Sequence, residues 1–228
     1  MHPLNLIRFA PAEGSGMSGS GGLSADPLDI LIHHNDWATR RVLDFCREIE
    51  PATFHQRVGI GPGSLHDTVT HIIGAMRRWG DRIDGRTLRP SIEIPEGSIW
   101  SYFDPSKPPK PAVPRRTIDE LAALLDASTR DLLAIAQRGR EQGLGSTFSI
   151  TFGTKQYTFS IAGALTHVLT HGTHHRAQCL FMLRQFGPPC FADCVPEIGV
   201  ADWQVEVETK ELAPYQPRPF SGRPEVIS

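Results

Sequence analysis

Apolar residues return at three- and four-residue spacing from Pro27 to about Glu50, at Leu31, His34, Ala38, Val42, Phe45 and Ile49. That period predicts a helix. Asp26 is a good cap ahead of a proline at the first helical position, and Pro51 ends the run. A second helix is expected from about Ser64 to Asp84, between the break Gly61-Pro62-Gly63 and Gly85. Its stripe is Leu65, Val69, Ile72, Ile73, Met76, Trp79 and Ile83, and Ser64 with Asp67 three residues on resembles a capping box. The period is then lost over residues 86–116. Pro105 to Pro114 holds too many prolines for a helix interior or a central strand, since proline has no amide donor. This stretch reads as an extended surface crossover, long enough to let the third helix start far from where the second ends.

Thr117-Ile-Asp-Glu120 is a full capping box. The helix it opens runs through Leu121, Leu124, Leu125, Leu132, Leu133 and Ile135 to about Gln142, with Gly143 beyond. The period next shortens to two. Residues 147–152 and 155–159 alternate around Gly153-Thr154, which predicts a short β-hairpin. The last helix is expected from about Ser160 to Phe186, stopped by Gly187-Pro188-Pro189. Leu165, Val168, Leu169, Cys179, Phe181, Met182 and Leu183 make it apolar on more than one side, hence well buried.

These elements predict an all-α fold: a four-helix bundle with a long crossover between its second and third helices and a short β-hairpin before the fourth. Residues 1–25, rich in Gly and Ser, read as a disordered tail, 26–187 as the bundle, and 188–228 as a C-terminal extension that Trp203 could anchor.

A formal charge of −2 over 228 residues gives no global pull toward nucleic acid or anionic lipid. The best local basic feature, Arg77-Arg78 with Trp79, is too small a patch for nucleic acid. Four cysteines, with Cys190 and Cys194 lacking CxxC spacing, do not make a disulfide framework or a zinc knuckle. No apolar run suits a signal peptide or a membrane span, so a soluble cytoplasmic protein is expected.

Histidine changes the picture. Four of the ten histidines, His167, His171, His174 and His175, fall within nine residues of the last helix. His171 and His175 are four apart, so their imidazoles lie one turn apart on one face and can grip one divalent metal. His71, in the second helix, is a candidate third ligand. Burying such rings as cations would be costly, whereas neutral imidazoles can serve as metal ligands. Three His ligands leave a coordination position for water or substrate, the pattern of a catalytic site. Nitrogen ligation suits zinc, nickel, copper or iron, with zinc or nickel foremost.

His167 shares the face one turn earlier and is expected as a neighbour, while His174 and His33 point away and His66 is expected to be exposed. Asp67 shares a side with His71; it either orients an imidazole or is a charge favoured by the helix dipole. His34 lines the pocket or is a satisfied core histidine. Arg176 either holds a substrate carboxylate or forms a salt bridge. No Ser-His-Asp arrangement or phosphate-cradling loop competes with the metal.

His71 in Leu65-His-Asp-Thr-Val-Thr-His71-Ile72, together with His171-Gly-Thr-His-His175-Arg176-Ala-Gln178, resembles the motifs of the DinB-like family, four-helix bundles that include thiol S-transferases. The segment from His34 to Arg40 is similar to that family's start, and Met182 to Gly187 to its close, so the likeness covers about Pro27 to Gly187. The long crossover, glycine-rich start and C-terminal extension are departures. The resemblance implies a metal on His71, His171 and His175, and a homodimer. It also implies activation of a low-molecular-weight thiol for transfer or isomerisation of a small-molecule substrate. A hydrolytic version uses water in place of the thiol. The alternative is a non-catalytic metal-binding stress-response protein, which a fourth protein ligand such as Asp67 or His167 would favour.

Overall fold

A computed structural model describes residues 26–98, 110–152, 154–187, 198–200 and 203. The expected tail, the middle of the crossover, Cys190, Cys194 and most of the extension lie outside the described residues. Four long helices carry the fold: α1 (Pro27–Arg47), α3 (Leu65–Ile83), α4 (Ile118–Gln142) and α5 (Ile161–Phe186). A single helical turn, α2 (Pro51–Phe54), follows α1, and a hairpin of β1 (Thr147–Phe152) and β2 (Lys155–Ser160) precedes α5. The chain is thus a four-helix bundle with a short helix and a hairpin inserted. Among the described residues no helix is long and apolar enough to cross a membrane.

Helix starts follow the local chemistry. Asp26 Oδ1 accepts from the Leu28 amide at 2.8 Å, and Ser64 Oγ accepts from the Asp67 amide at 3.0 Å. Thr117 and Glu120 complete both halves of their box, at 3.2 and 2.7 Å. The Ser64 box is only half made, because the Asp67 carboxylate bonds elsewhere.

Ion pairs at the helix ends define the topology. Arg47 meets Asp119 at one end of α1, and Arg140 meets Asp26 and Asp29 at the other, so α1 and α4 are antiparallel. The Arg116 amide donates to His66 at the start of α3, and Arg138 pairs with Asp84 at its end, so α3 and α4 are parallel. α5 runs antiparallel to α3, with His171 beside His71 and His167 beside Trp79. α1 and α3 both pack on α4 and α5, and are diagonal to one another. A parallel α3–α4 pair forces the chain back along the whole of α3, about 28 Å at 1.5 Å per residue. The long crossover supplies that return.

Ile32, Val42, Ile72, Leu125, Leu132, Leu165 and Leu183 are among the core side chains, all essentially inaccessible. The hairpin pairs Phe148 with Phe159, and Phe159 lays its ring edge-on against Trp79 at 5.2 Å.

Some expectations shift. α1 ends at Arg47, and Pro51 begins a new turn rather than only ending the old one, since proline suits a first helical position. Leu31 and Phe181 are exposed, at 42% and 45%. Along α1 and just past its end, His34, Ala38, Val42, Phe45 and Ile49 are buried as the stripe predicts, and burial extends to Ile32, Asn35, Thr39 and Cys46, because Asn35 and Thr39 serve a buried arginine on α5. An apolar-only stripe misses these polar members.

Removing the hydroxyl of Thr117 should expose the orphan amide of Glu120. Thr117→Ala is expected to lower unfolding free energy by about 1 kcal/mol, seen as a lower urea midpoint at unchanged slope.

Candidate metal centre

α3 turns Ile72 and Ile73 into the core and leaves His71 beside them, half-buried and facing α5. α5 answers with His171 and His175, one turn apart. The ring centroids stand 4.8 Å apart for His71 and His171, 4.6 Å for His71 and His175, and 4.4 Å for His171 and His175. One nitrogen from each ring can be chosen so that all three lie within 4.8 Å of one another. This cluster is capable of metal coordination. Among the described residues no fourth His, Cys, Asp or Glu joins it.

Two of the three rings are oriented from behind. His71 Nδ1 donates to Glu93 Oε2 at 2.7 Å, and His175 Nδ1 donates to Gln178 Oε1 at 2.8 Å. With Nδ1 protonated, each neutral ring presents a bare Nε2 lone pair. His171 Nε2 lies 3.1 Å from His71 Nε2. Two nitrogens at tetrahedral positions on a zinc, each 2.0–2.1 Å from it, lie about 3.3 Å apart. The donor set therefore fits a divalent ion. His171 Nδ1 is buried without a hydrogen-bond partner, so this ring is placed by its Nε2 contact with His71 and by packing against His167 and His175.

Burial keeps the cluster uncharged. Burial first, then Arg78 and Lys110, lowers His71 to about 4. Burial, then the neighbouring rings His175, His71 and His167, lowers His171 to about 3. Burial lowers His175 as well. All three are free bases at neutral pH.

Glycines make room for the supports. A Cβ at Gly74 would strike the Glu93 carboxylate. Gly61, in the left-handed region at φ 52°, lies so close to Gln178 that a side chain there would collide with its amide. Glu93 itself is 2% exposed, sits between His71 and the cations of Arg78 and Lys110, and donates its amide N–H to Ser91 Oγ.

The other predicted residues fall in different places. Asp67 does not touch His71: its carboxylate takes His66 Nδ1 at 3.0 Å and Arg57 at 3.0 Å. His66 is buried rather than exposed, because its Nε2 accepts the Arg116 amide where the crossover returns. His167 is exposed, edge-on against Trp79, outside the cluster. His34 is buried, and its Nε2 donates to the Ile198 carbonyl at 2.8 Å; Trp203 nearby in sequence is 4% exposed. His33 and His174 are exposed, as expected. Among the described residues Arg176 forms no salt bridge. It is 2% exposed and donates to Asn35 at 2.5 Å, Thr39 at 3.3 Å and Thr173 at 3.1 Å, with burial lowering its pKa to about 10. It binds α5 to α1, in a gap kept open by Gly172.

Sequence reasoning missed Glu93 and the part played by Gln178. The available signal for Glu93 was Ile92-Glu93-Ile94 between Pro90 and Pro95, an acid flanked by apolar residues in an otherwise polar loop. Ile92 is in fact buried and anchors that loop.

A family model described as the DinB family matches residues 24–195. A curated relative, Protein DinB of Bacillus subtilis (strain 168), is 24% identical over 158 residues, covering 69% of this chain and 84% of the relative.

Removing the carboxylate behind His71 should loosen the site without removing a ligand. Glu93→Gln is expected to weaken zinc binding about 10- to 100-fold, measured by competition with a chromophoric chelator. The metal-free protein should also carry a pH signature. Between about 6.5 and 4 the unfolded chain protonates His71 and His171 while the folded chain does not. Stability is then full above about pH 6.5 and lost as pH falls through that window. Urea midpoints of chelator-treated protein should decline accordingly, and more shallowly in His171→Gln.

Proposed function

The chain belongs to the DinB family, and from that premise we propose that it is a metal-dependent enzyme acting on a small-molecule substrate. His71, His171 and His175 hold one divalent ion, zinc or nickel, and the fourth position admits a low-molecular-weight thiol or water. The observation that carries this is the convergence of three neutral imidazoles from two helices, with His71 and His175 already turned by Glu93 and Gln178. A divalent ion bound there lowers the pKa of a thiol or a water and so supplies a nucleophile at neutral pH.

The chain's own residues prepare that chemistry. Glu93 and Gln178 fix which ring nitrogen faces the ion, sparing the reorganisation that free rings would need. Burial keeps protons from competing for the ligand nitrogens at neutral pH. Phe159, Trp79 and His167 form a chain of ring contacts that ends on His171. The three-donor cluster supports an open, catalytic coordination over a closed, structural one. The same reading carries thiol S-transfer or hydrolysis as the reaction class, a homodimer as the assembly and the cytoplasm as the setting. Within the matched region it takes 26–187 as the bundle domain, with 1–25 as a tail and 188–228 as an extension.

Purified protein should contain one ion per chain by elemental analysis, and His171→Ala should contain almost none. Unchanged stoichiometry in that variant would place the metal elsewhere. Added metal at 1,000 times its Kd should raise stability by about 4 kcal/mol in the wild type, with little gain in His171→Ala.

A further inference from the structure

His174 stands outside the three-imidazole cluster, exposed on α5, with its ring centroid 4.9 Å from that of His175. Gln178 lies one turn further along the helix, four residues from His174 and three from His175, so one amide can reach both rings. It does. Gln178 Oε1 meets His175 Nδ1 at 2.8 Å, and Gln178 Nε2 meets His174 Nε2 at 3.2 Å. Gly61 covers the same amide from the loop before α3, where a side chain would collide with Oε1.

An amide has one end that accepts and one that donates, and this asymmetry sets both rings. The nitrogen end can only donate, so His174 Nε2 accepts, and the proton of that neutral ring sits on Nδ1. The oxygen end can only accept, so His175 Nδ1 donates, and His175 Nε2 is left bare. Turning the amide end for end reverses the whole chain. His174 Nε2 would then donate to the oxygen, and the amide nitrogen would donate to His175 Nδ1. The His175 proton would sit on Nε2, which can no longer bind an ion. Each order satisfies all its donors and acceptors, whereas a mixed order sets N–H against N–H or lone pair against lone pair. The two rings are thereby coupled, and neither changes its charge between the two orders.

We propose that His174 is a positioning residue of the metal centre, acting through the Gln178 amide to hold His175 in the tautomer whose Nε2 can bind the ion. This rests on the reading of His175 as a ligand. The coupling is reciprocal: an ion that requires a bare Nε2 on His175 also requires one on His174, which never touches it.

The test uses full-length protein and zinc at about pH 8, above the ordinary imidazole titration. Long-range nitrogen–proton NMR spectra read the tautomers, and competition with a chromophoric chelator reads affinity. Zinc-loaded wild type should show His174 with Nδ1 protonated and Nε2 bare. Gln178→Glu, whose carboxylate accepts from both rings, should invert His174 to the Nε2–H form while His175 keeps a bare Nε2. His174→Phe keeps an aromatic ring and removes the acceptor. It should weaken zinc about three- to tenfold, below the loss expected on removing a group that touches a ligand directly. In the Gln178→Glu background the same substitution should change affinity by less than about twofold, because a carboxylate has no donor end to orient. A merely structural His174 would cost the same in both backgrounds, and that result overturns the proposal. So does a His174 with Nε2 protonated in the zinc-loaded wild type, or an affinity unchanged in His174→Phe; both leave the metal reading standing. Wild type that takes up no zinc removes the relay and the metal reading together.

Discussion

Three half-buried imidazoles in mutual contact between α3 and α5 are tolerable only while all three stay uncharged, because each added proton would be placed beside two rings and partly out of water. The depressed values at His71 and His171 express that constraint. It turns a repulsive arrangement of cations into a set of lone pairs aimed at one point. It also demands that each ring proton find an acceptor on the far side. Glu93 and Gln178 meet that demand for two rings, while His171 Nδ1 has no partner among the described residues.

The topology follows from the same need. α3 and α5 must be neighbours for the rings to meet, and antiparallel neighbours match His71 with His171 and Trp79 with His167. Arg176 holds the far side of α5 to α1 through neutral partners, so the helix that carries His171 and His175 is clamped between its two neighbours. The parallel α3–α4 pair requires a long return, and the chain uses that return to carry Glu93 to His71 and Lys110 to Glu93. The crossover is therefore part of the site as well as a connection.

The long helices and their starts were legible because each helix buries one face and caps itself with side chains a fixed number of residues away. The pair His171 and His175 was legible for the same local reason. What spacing does not encode is which loop residue folds back onto a helix. Glu93 lies 22 residues from His71, and nothing periodic connects them. Asp67 was read against His71 because both lie on one side of α3, yet its nearest imidazole is that of its chain neighbour His66. His66 looked exposed on the helical wheel of α3 and is covered by the returning crossover. Leu31 opens the apolar period of α1 yet is exposed, while Asn35 and Thr39, which an apolar period leaves out, are buried where Arg176 bonds them. Local patterns thus located the three histidines, and long-range returns of the chain supplied their supports.

X-ray absorption at the metal edge of the zinc- or nickel-loaded protein tests the three-imidazole centre most directly. The predicted spectrum has three imidazole nitrogens at about 2.0–2.1 Å and a light atom that gives way to sulfur when a small thiol is added. Fewer than three imidazoles, or a fourth protein ligand that no thiol displaces, would contradict an open catalytic site built from His71, His171 and His175.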